Sequence, residues 1–189
     1  METVHALQNL SFSIEKARKL QIALSKRIIC RDCFETPIKH VAGVDVAYAD
    51  KRSIGSVAVL EYDSMKTVEL ETAEVTTRFP YMPTLLSFRE VPPAASAIKK
   101  LRIKPDVFLV DGQGIAHPYR LGFASHLGLV LNIATVGVAK SLLCGKIADS
   151  EYGVCKPINY GVWKPIIYEG KIVGGAVFTR LNAKPVYVS

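Results

Sequence analysis

Two short apolar runs that each end in a charged residue place the strongest constraint on the fold of this chain. Residues 107–111, VFLVD, end in Asp111, and residues 134–140, ATVGVAK, end in Lys140. Short continuous apolar runs are typical of strands that are buried on both faces of a parallel sheet. A helix is predicted between them, over residues 121–132, so the order strand–helix–strand predicts a parallel pair with a right-handed crossover.

Three strand-like segments precede this unit and predict an antiparallel part of the same sheet. They cover residues 41–49, 53–62 and 66–77 and are separated by short turns, which favours antiparallel pairing of neighbours. Two further runs around Glu169–Gly170 predict a hairpin. We therefore expect an α/β protein with a mixed sheet covered by helices on both faces, a topology that resembles the ribonuclease H-like fold.

Proline interrupts the stretch that joins the two parts of the predicted sheet. Residues 79–93, FPYMPTLLSFREVPP, contain four prolines, so we expect no single regular helix there. A helix over residues 94–101 is predicted to begin after Pro93, since proline is tolerated at a helix start. The motif FPYMP has two interpretations: a rigid surface loop, or a stiff loop that presents Tyr81 and Met82 to a partner.

Length and charge narrow the class of protein. The chain has 189 residues, of which 49% are apolar, so we expect one domain spanning residues 1–189. No apolar run is long enough to cross a membrane and no secretory pattern opens the chain, so a cytoplasmic protein is expected. The net charge of +7 favours an anionic partner, nucleic acid first. A basic amphipathic helix over residues 13–29 is either a solvated face or a phosphate-binding one.

The four cysteines do not form a recognisable zinc pattern. Cys30 and Cys33 make one CxxC pair, whereas Cys144 and Cys155 are too far apart in sequence to make a second. A structural zinc site needs a second pair or suitably spaced histidines. Free thiols or an incidental disulfide are therefore favoured over a zinc site.

Three carboxylates are candidates for a shared metal site. Asp45 lies in mid-strand among valines, and a buried carboxylate is costly unless it has a partner. Asp111 ends a neighbouring strand, at the edge where open α/β sheets bind their ligands. Glu90 could complete the set from the facing segment. Magnesium prefers such oxygen ligands, and two ions held in this way stabilise both oxygens of an in-line phosphoryl displacement.

Each neighbouring residue also has an ordinary structural interpretation. Asp111 and Gly112 form a common turn pair, and His117 precedes a proline and could cap the next helix. Lys140 could be an ordinary lysine at the end of a strand. The two glycines Gly112 and Gly114 would let backbone approach a substrate, but GQG matches neither the dinucleotide nor the Walker pattern, which disfavours an oxidoreductase.

Four motifs then resemble the endonuclease V family, the deoxyinosine-specific repair nucleases, in that family's order and spacing. They are VAGVDVAY at residues 41–48, RFPYMPTLLSFRE at 78–90, DGQGIAHPYRLGFASHLG at 111–128 and GVAKSLLCG at 137–145. The resemblance implies a ribonuclease H-like fold, dependence on Mg²⁺ or Mn²⁺, and cleavage of the second phosphodiester bond on the 3′ side of deoxyinosine. Some family members act on inosine in RNA.

The resemblance also implies roles for individual residues. Asp45, Glu90 and Asp111 match the catalytic metal carboxylates, and His117 and Lys140 are expected near the metal or the scissile phosphate. The motif PYMP matches a wedge that separates strands at the lesion, and Tyr81 is its inserted aromatic. The residues expected to contact substrate are Pro80, Tyr81, Met82 and Pro83 in the wedge, and Leu86, Gly112 and Gly122 in a hypoxanthine pocket.

Two departures from the family pattern limit this transfer. Thr84 occupies a position that is often glycine in the wedge motif. The chain also ends before the family's Pro-Gly-His segment and closing helix, whose histidine contributes to the catalytic site. The alternatives are therefore a module that binds inosine lesions with impaired cleavage, and a nuclease directed to RNA or to junctions. A monomer is expected for the intact family member, and no membrane association is expected.

Overall fold

The computed structural model describes residues 2–32, 34–148, 162–179 and 183–189. In this part of the chain, nine strands form one mixed sheet in the order β3-β2-β1-β4-β5-β9-β8-β7-β6. The elements are α1 (Glu2–Ser25), β1 (His40–Ala49), β2 (Arg52–Glu61), β3 (Thr67–Thr76), α2 (Ser87–Ile98), β4 (Val107–Asp111), α3 (Phe123–Leu131), β5 (Thr135–Ala139), β6 (Lys146–Ile147), β7 (Val162–Tyr168), β8 (Lys171–Phe178) and β9 (Val186–Val188).

The strand pairing confirms the predicted mixed sheet. β1, β2 and β3 pair in antiparallel fashion as a meander. β4 pairs in parallel with β1 on one side and with β5 on the other, and α3 connects β4 to β5. β7 and β8 form the expected hairpin around Glu169–Gly170. The two runs that end in Asp111 and Lys140 are therefore neighbouring parallel strands.

Helix α2 corrects the prediction for the proline-rich stretch. It runs from Ser87 to Ile98 with Pro92 and Pro93 inside it, rather than beginning after Pro93. Packing offsets the loss of hydrogen bonds, because Pro93 is buried against β2 where Gly55 lies. A Cβ atom at Gly55 would overlap the Pro93 carbonyl, so the helix approaches the sheet closely only because this residue is glycine.

Helix α1 also differs from its predicted bounds, since it spans Glu2–Ser25 instead of residues 13–29. Residues 2–12 contain neither proline nor glycine, so nothing in them stops a helix, and Ser13 continues it instead of capping it. A turn after the helix joins the Arg27 amide to the Leu24 carbonyl at 2.9 Å. Within the described residues, no helix combines the length and apolar character that a membrane crossing requires.

The main core lies between one face of the sheet and the helices α2 and α3. It is built from alternate strand residues that share this face: Ala42, Val44, Val57, Val59, Phe108 and Val110. The opposite face is more open, because Leu109 is 43% exposed and no atom lies within 4 Å of a Cβ position built at Gly43. The α/β class is confirmed, but in the described part of the chain α2 and α3 cover the same face of the central strands.

The described cysteines are free thiols. Cys30 is exposed and Cys144 is partly buried, and neither forms a disulfide. Cys33 and Cys155 lie outside the described residues, so the CxxC interpretation stays a prediction.

Candidate active site

The register of two central strands places Asp45 beside Asp111. The parallel pairing of β1 with β4 runs from Val41 opposite Val107 to Val44 opposite Val110, and the two aspartates are the next residues. Neighbouring strands lie about 4.8 Å apart, so the two residues are close together. Because residues in register share a face, both carboxylates project from the same face of the sheet, where β4 ends. The expectation that Asp45 is buried is wrong, because the alternation that buries Val44 turns Asp45 toward the open face.

Glu90 reaches the same site from the first turn of α2. It is half-buried, and burial raises its pKa from 4.5 to about 7, with repulsion by Asp45 and Asp111 adding to the shift. The neighbouring Arg89 opposes the shift without cancelling it. Asp45 and Asp111 therefore lie close enough to Glu90 for their charges to disfavour its ionised form.

Lys140 follows directly after β5 and completes this cluster. Its Nζ lies 2.7 Å from Asp111 Oδ2, and its side chain is 85% exposed. Asp111, through a hydrogen bond and its charge, raises the pKa of Lys140, and Asp45 contributes to the same shift. An exposed ion pair of this kind contributes little to stability, so the ammonium group can exchange Asp111 for another anion.

The donor set at this cluster fits a hard divalent cation, although its side chains are not pre-arranged around one. Among the described residues, no three His, Cys, Asp or Glu side chains already stand as a metal-binding group. The chemistry of the three carboxylates nevertheless matches the oxygen ligands that Mg²⁺ prefers. A cation would also offset the repulsion by Asp45 and Asp111, which adds to the effect of burial on the pKa of Glu90.

His117 lies in a second cluster, around Thr84. The ring is 4% exposed, and its Nδ1 accepts a hydrogen bond from the Tyr119 amide at 3.1 Å. Burial lowers its pKa to about 4 with a contribution from Arg18, while a hydrogen bond with the Thr84 backbone opposes the shift. The imidazole is therefore neutral at physiological pH. The groups that shift its pKa are Arg18 and Thr84 rather than the three carboxylates.

The loop with the predicted wedge presents an exposed aromatic from a fixed base. Tyr81 is 68% exposed. A turn joins the Leu85 amide to the Met82 carbonyl at 3.0 Å, and the Leu85 side chain is fully buried. The loop also borders a cleft of about 740 Å³ whose lining includes Phe79, Pro80, Phe88 and Arg89. The loop is thus anchored at its C-terminal end while Tyr81 faces outward.

The residues of the predicted hypoxanthine pocket lie on two segments, one just before α2 and the other between β4 and α3. Leu86 directly precedes α2, and its carbonyl accepts hydrogen bonds from the Arg89 and Glu90 amides at 2.8 and 3.1 Å. On the other segment, the Gly112 amide donates to Val138 at 3.1 Å and the Gly122 amide donates to Gly114 at 2.9 Å. A Cβ atom at Gly122 would overlap the Gln113 carbonyl, so glycine is required for this close packing.

Comparison with known proteins decides the family. The model of the Endonuclease V family matches residues 22–189. The chain belongs to the endonuclease V family. The endonuclease V of Trichormus variabilis is 46% identical over 182 residues, which cover 94% of this chain and 78% of the relative. The endonuclease V of Thermofilum pendens is 41% identical over 186 residues, which cover 98% of this chain and 76% of the relative.

Solved endonuclease V structures share the fold. The Streptomyces avermitilis enzyme superposes with a TM-score of 0.81 at 36% identity, covering 93% of this chain and 75% of that chain. The Ciona intestinalis enzyme, solved in complex with a 24mer DNA that contains an inosine followed by a ribo-adenosine, superposes with a TM-score of 0.75 at 30% identity. That match covers 94% of this chain and 82% of that chain. Family membership identifies the chain as a DNA repair nuclease with the ribonuclease H-like fold.

Two side chains beside the carboxylates of this endonuclease V family member were not predicted from the sequence. The Arg89 guanidinium carbon lies 4.1 Å from the centre of the Tyr48 ring. Burial raises the pKa of Tyr48 to about 12, and the charges of Glu90 and Asp45 add to the shift. Tyr48 lies in the same strand as Asp45, and Arg89 precedes Glu90 in the chain. Their closeness in sequence to Asp45 and Glu90 was the only signal in the sequence that could have indicated Tyr48 and Arg89.

Proposed function

We propose that the chain is a divalent-metal-dependent endonuclease that cuts the second phosphodiester bond on the 3′ side of deoxyinosine in DNA. The observation that carries the proposal is the convergence of three carboxylates: the strand register places Asp45 beside Asp111, and the charges of both act on Glu90. Such a cluster is costly unless a cation neutralises it. The nuclease family and the inosine-containing DNA bound by the Ciona relative support the choice of substrate.

Asp45, Glu90 and Asp111 would hold Mg²⁺, or Mn²⁺ in its place. When bound, the ion supplies activation of water and neutralisation of the charge on the phosphate. Glu90 would have to lose its proton to act as a ligand, and its pKa of about 7 without a cation leaves it partly protonated at neutral pH. Lys140 is free to leave Asp111 and stabilise the charge that develops on the scissile phosphate.

His117 contributes to this function by holding the substrate-binding loop. Because its pKa is about 4, the neutral ring does not act as a general acid at neutral pH. It hydrogen-bonds the Thr84 backbone and so fixes the residue that connects the wedge to the predicted pocket. This role differs from a place beside the metal or the scissile phosphate, which the family resemblance implied.

The direct test of the proposed function uses a labelled duplex with a single inosine and the full chain. With Mg²⁺ or Mn²⁺ we expect one nick, at the second bond on the 3′ side of the inosine. The matched duplex with adenine at that position and the variant Asp45→Ala should give no product. A chain that leaves the inosine duplex intact under both metals would contradict the proposal. Comparing cleavage of this inosine duplex with cleavage of the same inosine in RNA would show which nucleic acid the chain prefers.

One observation favours a second candidate function, that of an inosine-binding module with impaired cleavage. Lys140 pairs with Asp111 at 2.7 Å and so competes with a cation for one of the three carboxylates. A gel-shift experiment in Ca²⁺ separates the two functions. Selective binding to inosine DNA, combined with the absence of product in Mn²⁺, would favour the binding module.

Replacing Tyr81 with alanine is expected to impair cleavage of duplex DNA more than cleavage of single strands. A protruding ring can take the place of a lost stacking partner, and stacking on an aromatic side chain contributes roughly 1–3 kcal/mol, or about 5-fold to 150-fold in rate. We expect single-turnover cleavage of an inosine duplex to fall by about this factor, with a smaller change on the single strand.

The matched control for this experiment is Tyr62→Ala. Tyr62 is 48% exposed and follows β2, at the end of the sheet opposite the carboxylates. Its replacement should leave cleavage of both substrates unchanged. Equal losses on duplex and single strand in Tyr81→Ala would argue against a strand-separating role.

A further inference from the structure

Gln21 of α1 joins two distant segments of the chain through a buried side chain. It is fully buried, and its Nε2 donates hydrogen bonds to the Thr84 carbonyl at 2.7 Å and to the Leu121 carbonyl at 3.1 Å. Its Oε1 accepts a hydrogen bond from Arg18 Nη1 at 2.6 Å. Both amide hydrogens and the amide oxygen of Gln21 are therefore engaged in hydrogen bonds.

Thr84 has a backbone conformation that needs such support. Its φ is 66°, in the left-handed region, which a β-branched residue adopts only at a cost in free energy. Arg18 Nη2 donates to Thr84 Oγ1 at 2.8 Å, and the Arg18 guanidinium also stacks on the Tyr119 ring at 3.9 Å. With the bond from Gln21, α1 holds both the side chain and the carbonyl of Thr84.

The two segments held by Gln21 carry the residues expected to contact the lesion. Thr84 lies between Tyr81 of the wedge and Leu86, and Leu121 directly precedes Gly122. The spacing of these two segments therefore depends on one buried amide of α1.

We propose that Gln21 and Arg18 are positioning residues that set selectivity for inosine by fixing the spacing between residues 84–86 and 121–122. The inference rests on the proposed function, because the substrate is assigned there. Neither side chain needs to touch the base. A loosened pair of segments should weaken binding of the lesion, while binding to undamaged DNA, which depends on phosphate contacts, should persist.

The test compares Gln21→Leu and Arg18→Gln with the control Lys19→Gln. The control removes the same charge as Arg18→Gln from the same helix, and Lys19 pairs only at the surface with Glu15 among the ion pairs observed in the described residues. The dissociation constants of an inosine duplex and of its adenine counterpart are measured in Ca²⁺. We expect both test variants to bind the inosine duplex about tenfold more weakly, because each leaves buried polar groups unpaired. Binding of the adenine duplex should stay within about twofold.

Hydrogen exchange provides a readout that does not depend on DNA. The amides of residues 82–86 and 119–122 should exchange faster in Gln21→Leu than in the wild type and the control. A purely structural role would lower the melting temperature without a change in the selectivity ratio. Unchanged selectivity in a folded Gln21→Leu protein would therefore overturn the inference.

A second variant, Thr84→Gly, keeps the test decisive if Gln21→Leu does not fold. Glycine adopts the left-handed conformation without help, and it keeps the carbonyl that Gln21 binds. Arg18→Gln should therefore weaken inosine binding less in the Thr84→Gly background than in the wild type, which a double-mutant cycle measures. An equal loss in both backgrounds would contradict the role of Arg18. If the wild type itself does not distinguish inosine from adenine, the proposed function fails, whereas the exchange experiment still tests the contact.

Discussion

Replacing Asp111 with asparagine is expected to reduce cleavage of an inosine duplex by about a thousandfold or more, with little loss of DNA affinity. The substitution keeps the size of the side chain and removes its charge, so the site attracts a divalent cation less strongly. Phosphate contacts elsewhere dominate binding, and their number is unchanged. Single-turnover cleavage in Mg²⁺ and a dissociation constant in Ca²⁺ measure the two effects separately.

The substitution is also expected to leave the fold intact. The ion pair of Asp111 with Lys140 is exposed on the lysine side, and such pairs contribute little to the free energy of unfolding. Asp63→Asn is the matched control, because Asp63 is an exposed residue in the turn between β2 and β3. This control should cleave like the wild type. Normal cleavage by Asp111→Asn would remove Asp111 from the catalytic residues.

The pairing of Asp45 with Asp111 was predictable because it depends on regular structure. Two apolar runs separated by a helix predict parallel strands, and the ends of such strands meet at one edge of the sheet. Lys140 follows by the same argument from the next strand. The exposure of Asp45 was not predicted, because the valines around it suggested burial on both faces. Only the observed packing shows that one face of β1 is more open.

The features of the site that the sequence did not predict depend on contacts between residues far apart in the chain. The four prolines of the wedge region predicted a break, whereas the packing of Pro93 against Gly55 allows α2 to begin at Ser87 and bring Glu90 to the site. Gln21 and Thr84 are 63 residues apart, and no local pattern in α1 indicates a buried amide that supports a loop. Helix periodicity identifies a buried face, but it does not identify what that face contacts.

Glu90→Gln is expected to abolish cleavage and, without divalent cations, to stabilise the protein at pH 8. The folded-state pKa of Glu90 is about 7, above its ordinary value of 4.5. Burial of the carboxyl group is the largest cause of this increase, and repulsion by Asp45 and Asp111 adds to it. The folded protein therefore keeps a proton that the unfolded chain has lost between these pH values. The contribution of Glu90 to stability is fully present below pH 4.5 and decreases as pH rises through about 7.

Glutamine has a similar size and no charge, so the variant should not lose stability as the pH rises through about 7. We expect the free energy of unfolding of Glu90→Gln to equal that of the wild type near pH 4 and to exceed it at pH 8, by up to about 3 kcal/mol. Urea unfolding in EDTA, repeated from pH 4 to pH 9, measures the difference. Added Mg²⁺ should stabilise the wild type at pH 8 more than the variant, since an ion held by the native carboxylates favours the folded state.

The pH dependence of this difference tests whether the folded site raises the pKa of Glu90, through burial first and through repulsion by Asp45 and Asp111 second. A variant as stable as the wild type at every pH would show that the folded protein does not raise the pKa of Glu90. A variant that gains stability at pH 8 yet responds to Mg²⁺ like the wild type would place the cation elsewhere. A cation shared by these three carboxylates predicts the full combination, in which one substitution abolishes cleavage, stabilises the metal-free fold and weakens the response to Mg²⁺.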